Sequence, residues 1–177
     1  MPGLLREVLG ESQSVLELAT IATSALALTS GIYLYASDQV SALPLWRQVV
    51  AFLLILDISA GCVANFTSST NRFYATRPAA RWVFIAIHVH ILIVGWALGD
   101  SMLCAGAIWG YTIVGAALVT SMHGKAHQRV IAGAALAVGL AAIPLFASCG
   151  PVLSACGLLF MLKVLYSFAV DHEARDA

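Results

Sequence analysis

Residues Leu45 to Asn65 read LWRQVVAFLLILDISAGCVAN, and this segment indicates the class of fold. Its central part, Val49–Ile58, is apolar at every position except Asp57. A helix needs about 20 predominantly apolar residues to cross the hydrocarbon core of a bilayer. Because the stretch has that length and composition, it predicts a membrane-spanning helix that carries one acid near its middle.

The composition of the whole chain agrees with a lipid environment. Of its 177 residues, 60% are apolar and 10% are charged, and the mean hydropathy is +0.90. Soluble domains carry about 25% charged residues, so this surface is suited to lipid rather than to water. The formal net charge is zero and there is no basic tract. This argues against a nucleic-acid partner and leaves membrane lipid as the expected one.

Five other blocks are also long and apolar enough to cross a bilayer. The six predicted spans, numbered in chain order, are Val15–Ala36, Leu45–Asn65, Trp82–Gly99, Met102–Met122, Val130–Ala147 and Val152–Val170. The connections are short and leave no room for a soluble domain. The sequence therefore predicts an all-α polytopic membrane protein, with six transmembrane helices in one compact bundle and a single domain over residues 1–177.

Basic residues lie mainly at one end of this predicted bundle. One side carries Arg6, Arg72, Arg77, Arg81, Lys125, Arg129 and Arg175. The opposite side carries only Arg47. By the positive-inside rule, both termini are expected in the cytoplasm, most simply beneath a bacterial plasma (inner) membrane. The leader that ends at Gln13 lacks the pattern of a removable signal peptide.

Asp57 is the first candidate functional residue, because an ionised group inside hydrocarbon costs about 2.5–3.5 kcal/mol and usually faces a partner or a wet cavity. His88 and His90 on span 3 are expected at a similar depth, so the sequence predicts an Asp57–histidine pair. Such a pair is a proton or cation site, or the general base of an enzyme. The alternative is one buried hydrogen bond that only locks two helices together.

The two histidines are not expected to share a metal ion. Residues i and i+2 of a continuous helix point about 200° apart, so His88 and His90 are predicted to face different neighbours. His123 and His127, at i and i+4, with His172 at the chain's end, are weak metal candidates whose ligand set is incomplete. The sequence therefore predicts no metal and no cofactor.

A polar face is predicted to continue from Asp57 toward the cytoplasm. Asp57, Gly61, Asn65 and Ser68 recur at i, i+4, i+8 and i+11, which places them on one helix face. The predicted substrate-binding residues are Asn65, Thr67, Asn71, Arg72, Tyr74 and Arg77. The alternative is that the chain from Phe66 onward is an interfacial loop, where such residues are ordinary. Lys163 in span 6 is expected to extend its stem to the interface.

Small residues and cysteines add two further expectations. Gly106 and Gly110 have GxxxG spacing, and the Gly/Ala-rich spans 4 and 5 can pack within the chain or form a homo-oligomer interface. Cys104 and Cys149 fall near the outer face, where a disulfide is conceivable. Cys62 and Cys156 are expected to pack as small apolar residues.

The function predicted from these residues is that of a small transporter or channel, with a polar path through spans 2 and 3 centred on the Asp–His pair. One alternative is an intramembrane enzyme that acts on a lipid or isoprenoid headgroup. Another is a non-catalytic membrane assembly subunit. An enzyme predicts a pocket open sideways to the bilayer, and an assembly subunit predicts that Asp57→Asn or His88→Ala lowers assembly and nothing else. An Asp57 sealed against a helix with no cavity would remove the main support of both the transporter and the enzyme.

Overall fold

The computed structural model describes residues 12–145 and 149–173, and within these ranges the chain is helical and has no strand. The helices are α1 (Val15–Tyr35), α2 (Ser37–Ser41), α3 (Leu45–Ala64), α4 (Ser68–Ala75), α5 (Pro78–Ile87), α6 (His90–Leu98), α7 (Met102–Ser121), α8 (Gln128–Ala142) and α9 (Pro151–Met161). A 3₁₀ turn, Ile143–Leu145, follows α8, and a π-helical segment, Leu162–Phe168, continues α9.

Six helical segments of the described chain are long and apolar enough to cross a membrane, which confirms the predicted number. Their bounds are Val15–Tyr35, Leu45–Ala64, Pro78–Leu98, Met102–Ser121, Gln128–Leu145 and Pro151–Phe168. The leader up to residue 11, the end of predicted span 5 at Ala147, and the residues Arg6 and Arg175 lie outside the described residues. The lengths and compositions of these six helices are those of a multi-pass membrane protein.

Local sequence explains where several helices begin and end. Ser14 and Glu17 form a reciprocal capping box at the start of α1, which satisfies backbone N–H groups that have no helical partner. Pro78 and Pro151 occupy first-turn positions of α5 and α9, where the missing N–H costs nothing. Gly99 ends α6 with φ +68°, a conformation that glycine adopts without steric cost.

The centre of the bundle is built by α3, α6, α7 and α9 with its π-helical continuation. α3 packs against α1, α6 and α9, and α7 packs against α6, α8 and the π segment. Spans 1 and 5 lie at the periphery, and span 6 is the most buried of the six. Fully buried side chains such as Phe160, Ile55 and Ile91 fill the core between them.

The four cysteines form one disulfide and two buried free thiols. Cys104 and Cys149 form a disulfide, which joins the start of α7 to the residues before α9, and Cys62 and Cys156 are buried free thiols as expected.

The GxxxG pair is not used inside the described chain, because a Cβ at Gly106 or Gly110 would meet nothing within 4 Å. An oligomer interface there stays a prediction.

Candidate functional site

A cavity of about 630 Å³ lies beside Asp57. Most of its lining comes from α3, α4 and α5, and it consists of Asp57, Ala60, Gly61, Asn65, Phe73, Tyr74, Arg77, Ala80, Val83, Phe84, Ile87, His88, His90 and Lys163. The lining of α3 stops at Asp57 and the lining of span 3 stops at His90, so the cavity ends about halfway along both segments. The acid is therefore not sealed against a helix.

A break in span 3 creates this cavity. The helix stops at Ile87 and starts again at His90, so span 3 has two halves with different neighbours. The second half, α6, packs closely on α3, whereas the first half, α5, packs on α4 and α7 and shares no extensive interface with α3. The separation of α3 from α5 leaves a cleft between them.

The cleft is open on one side. Val83 and Ile87 line it and are 57% and 61% exposed, so the edge of the cleft lies on the outer surface of the bundle. In a membrane this surface faces lipid. The combination of apolar walls, a lateral opening and a polar inner end fits an amphipathic ligand.

A side chain from α7 stabilises the break. The Trp109 indole Nε1 donates to the carbonyl of His88 at 3.1 Å, which satisfies an acceptor that the interrupted helix leaves without a partner. Buried carbonyl groups need such partners, so the interruption is supported by tertiary structure and does not depend on a proline or a glycine at the break.

Asp57 forms an ion pair with Lys163 at the inner end of the cleft. The Lys163 Nζ donates to Asp57 Oδ2 at 2.6 Å. The Lys163 side chain is only 4% exposed, whereas the Asp57 side chain is 44% exposed and faces the cavity. The expectation that Lys163 extends to the interface is therefore wrong, because its stem runs along α3 and its charge is neutralised inside the bundle.

His90 is the histidine that pairs with Asp57. Its Nδ1 lies 3.2 Å from Asp57 Oδ2. That nitrogen is buried while the side chain is partly exposed to the cavity, so the accessible edge of the ring is the one that carries Nε2. An imidazole with Nδ1 in ion-pair range of a carboxylate and with Nε2 open to the cavity can serve as a general base.

His88 has a different environment but lines the same cavity. Its Nδ1 lies 2.5 Å from the Phe84 carbonyl oxygen, its ring stacks on the Phe84 ring, and it lies 5.0 Å from the His90 ring. The expectation that the two side chains point about 200° apart is wrong, because it assumed a continuous helix. The break turns both rings toward one space.

Two residues of α3 fix the position of the lysine. A Cβ at Gly61 would collide with the Lys163 side chain, so the glycine provides the space through which the lysine reaches Asp57. The Asn65 amide donates to the Lys163 carbonyl at 3.2 Å, and the Ser167 hydroxyl donates to it at 2.9 Å. The π-helical turn around Lys163, a geometry that often occurs at functional sites, is held by these contacts.

The polar residues after α3 divide into two groups. Asn65, Tyr74 and Arg77 line the cavity as predicted contacts would, whereas Thr67, Asn71 and Arg72 do not line it.

Thr67, Asn71 and Arg72 instead form contacts between separate segments of the chain. Thr67 caps α4 and accepts from the Gln13 amide at 2.8 Å. In the amide orientation that suits both neighbours, Asn71 donates to Asp171 Oδ1 at 3.1 Å and accepts from the His172 N–H at 2.8 Å. Arg72 lies 3.7 Å from Glu173.

The alternative of an interfacial loop from Phe66 onward is wrong, because residues Ser68–Ala75 form the helix α4. Ser68 belongs to this new helix and does not extend the face of Asp57, Gly61 and Asn65 into the cavity.

The three weak metal candidates lie apart from the cavity. His123 Nδ1 is 2.9 Å from Arg81 NH1 and 3.8 Å from Asp171 Oδ2, and His172 Nε2 is 3.2 Å from the Ser167 carbonyl oxygen. His127 is exposed at the start of α8. Over residues 12–145 and 149–173, no group of three or more His, Cys, Asp or Glu side chains is arranged to hold a metal ion.

Lys163 is the site residue that sequence reasoning missed. A signal for it existed, because Lys163 and Asp57 are the lone base and the lone acid inside their helices and lie at comparable distances from the same end of the bundle. An intramembrane acid and base at matching depth predict an ion pair.

Comparisons with protein-family models, with curated proteins and with solved structures find no match for this chain.

Proposed function

We propose that this chain is an intramembrane enzyme that performs acid–base chemistry on a membrane-soluble, amphipathic substrate. The observation that carries the proposal is the position of Asp57, His90 and Lys163 at the inner end of an apolar cleft that opens sideways. A lateral opening is what an enzyme with a lipid substrate needs, because the substrate arrives from the bilayer.

His90 acts as the general base in this proposal. In the proposed reaction the Asp57 carboxylate, which lies 3.2 Å from Nδ1, orients the ring and stabilises its protonated form. Nε2 takes a proton from a substrate hydroxyl or from a water molecule in the cleft. Lys163 neutralises the carboxylate and fixes its position, which lowers the cost of keeping an acid inside the bundle. Asn65, Tyr74 and Arg77 contact the substrate along the cleft.

Two observations support an orientation in which the Arg77 end of the cleft faces the cytoplasm. Most basic residues of the described chain lie at or near that end, and they are Arg72, Arg77, Arg81, Lys125 and Arg129. The Cys104–Cys149 disulfide lies at the opposite end, and disulfides persist in oxidising compartments.

Transport is the second candidate, and the shape of the cavity favours it over an open channel. The cavity extends from Arg77 to Asp57 and stops there, as one half of an alternating-access pathway does. In that case Asp57 is the protonation site, and release of Lys163 from the protonated acid accompanies the change of access.

A lipid-conversion assay tests the enzyme directly. Purified protein is incubated in nanodiscs that contain a bacterial polar-lipid extract, and the lipids are compared by mass spectrometry with protein-free nanodiscs. We expect a product with wild-type protein that His90→Gln abolishes. His127→Gln is the matched control, because that histidine is exposed and distant from the cleft, and it should leave the product unchanged.

A flux assay separates the enzyme from the transporter and from the assembly subunit. Proteoliposomes that enclose a pH-sensitive dye are given a pH gradient in the same lipid extract. An unchanged lipid profile together with a proton flux that Asp57→Asn abolishes would replace the enzyme with a transporter. No product and no flux, with lower recovery of a co-purifying subunit in Asp57→Asn, would leave the assembly subunit.

A further inference from the structure

We infer that the cleft selects an uncharged, hydroxyl-bearing head on an apolar chain, the chemistry of a prenol or another long-chain alcohol. This inference deepens the proposed function and rests on it, because it concerns the same site. It follows from what the inner end of the cleft offers to a ligand, from the charges already present there, and from the walls that lead out of it.

The inner end offers a hydrogen-bond acceptor. Every described contact of the Asp57 carboxylate with Lys163 and His90 uses Oδ2, which leaves Oδ1 on a side chain that is nearly half exposed to the cavity. His90 adds the accessible edge of its ring. A ligand hydroxyl group fits this end of the cleft. It can donate its proton to Asp57 Oδ1 or to the His90 ring, and its oxygen can accept a hydrogen bond from a neighbouring donor.

The charges at the inner end disfavour an ionic head. Asp57 and Lys163 already neutralise each other at 2.6 Å. An anionic head would meet the more exposed carboxylate, because the lysine side chain is only 4% exposed. A cationic head would add a second positive charge beside the lysine. A charge without a partner in a site of this kind is costly, so a neutral head is preferred.

A cation is present at the other end of the cleft and defines the competing ligand. The Arg77 guanidinium lies over the Phe73 ring at 4.0 Å and donates to the Phe73 carbonyl at 2.9 Å. A phosphate head would therefore bind near Arg77 and leave the Asp57 end without a ligand. The two binding modes can be distinguished by mutation.

The walls of the cleft suit a hydrocarbon chain. Apolar side chains of α4 and α5 line it, namely Phe73, Ala80, Val83, Phe84 and Ile87. Because Val83 and Ile87 are also exposed on the outer surface, a chain bound at Asp57 leaves between α3 and α5 and continues into lipid.

Three ligands with one common chain test the head group. Farnesol, farnesyl phosphate and farnesylamine are titrated separately into the purified full-length protein, and binding is followed by native mass spectrometry. We expect farnesol to bind at least tenfold more tightly than either charged analogue. Equal binding of the three, or tighter binding of farnesyl phosphate that Arg77→Gln weakens, would overturn the inference.

Two pairs of variants locate the binding. Asp57→Asn should weaken farnesol at least tenfold, whereas Asp38→Asn, the same change at an exposed position, should not. Because Asp57→Asn also removes an ion pair, Val83→Trp provides a second test that fills the cleft from an exposed position. Val114→Trp is its control on the exposed face of α7. Equal farnesol affinity in Val83→Trp and Val114→Trp would contradict the location.

Failure of this inference and failure of the proposed function give different experimental results. If farnesol binds at Asp57 while no lipid is converted, the selection of neutral heads stands and the enzyme is refuted. If a charged lipid is converted while farnesol does not bind, the enzyme stands and the inference is refuted.

Discussion

The Asp57–Lys163 pair predicts an asymmetry between two single substitutions. Asp57→Asn leaves a lysine whose side chain is 4% exposed, whereas Lys163→Met leaves a carboxylate that is 44% exposed to the cleft. Water in the cleft can solvate the carboxylate well, whereas the lysine side chain is almost fully buried. The two partners share one contact, yet the loss of the acid should be far more costly than the loss of the base.

The magnitudes follow from burial. Removing one partner of a buried ion pair costs about 3–5 kcal/mol, and we expect about 3 kcal/mol for Asp57→Asn. A pair whose remaining member is solvated contributes about 1 kcal/mol or less, which is the cost expected for Lys163→Met. In the double variant no unpaired charge remains, so its free energy of unfolding should return to within about 1 kcal/mol of wild type.

Thermal unfolding in detergent, followed with a thiol-reactive dye, measures these differences. Cys62 and Cys156 are buried free thiols, so dye reaction reports unfolding. For a chain of this length 1 kcal/mol corresponds to about 2–4 °C in Tm, which gives a decrease of about 6–12 °C for Asp57→Asn. The reasoning is refuted if Lys163→Met is as destabilising as Asp57→Asn, or if the double variant melts no higher than Asp57→Asn.

Three further predictions concern a glycine, the disulfide and a histidine. Gly61→Ala should lower the free energy of unfolding by about 1–3 kcal/mol, because the added methyl group displaces the lysine side chain. Reduction of the Cys104–Cys149 disulfide, whose partners are 45 residues apart, should lower the free energy of unfolding by up to about 4 kcal/mol. Burial lowers the pKa of His172 below its ordinary value of 6.5, so the unfolded chain takes up a proton first and stability should fall as the pH drops below about 6.5.

Each of the three has its own control. Gly31→Ala, in a helix where a Cβ meets nothing within 4 Å, should be neutral or slightly stabilising, and equal melting temperatures for both alanine variants would contradict the close approach at Gly61. The reduction experiment is repeated on Cys104→Ser, which should not respond to the reductant. His172→Gln should flatten the pH dependence of Tm between pH 5 and 7, and an unchanged slope would show that the histidine is not responsible.

Sequence reasoning predicted the architecture because bilayer thickness imposes a length on every apolar segment. The six long apolar helices, the position of Asp57 within one of them and its closeness to a histidine all follow from hydropathy and helical spacing. Asn65, Tyr74 and Arg77 line the same cavity as Asp57, and their role in substrate binding stays a prediction.

The amino-acid sequence is enough to assign an all-helical fold with helices of membrane-spanning length. It also singles out Asp57 as a candidate site residue, because a buried acid requires a partner wherever it lies. Only the tertiary structure decided which partners it has. Lys163 comes from a distant segment, and its approach depends on the absence of a side chain at Gly61. The cleft itself depends on a helix break that Trp109 supports from another helix. Local patterns carry no information about such contacts, because they form between residues far apart in the chain when the helices pack.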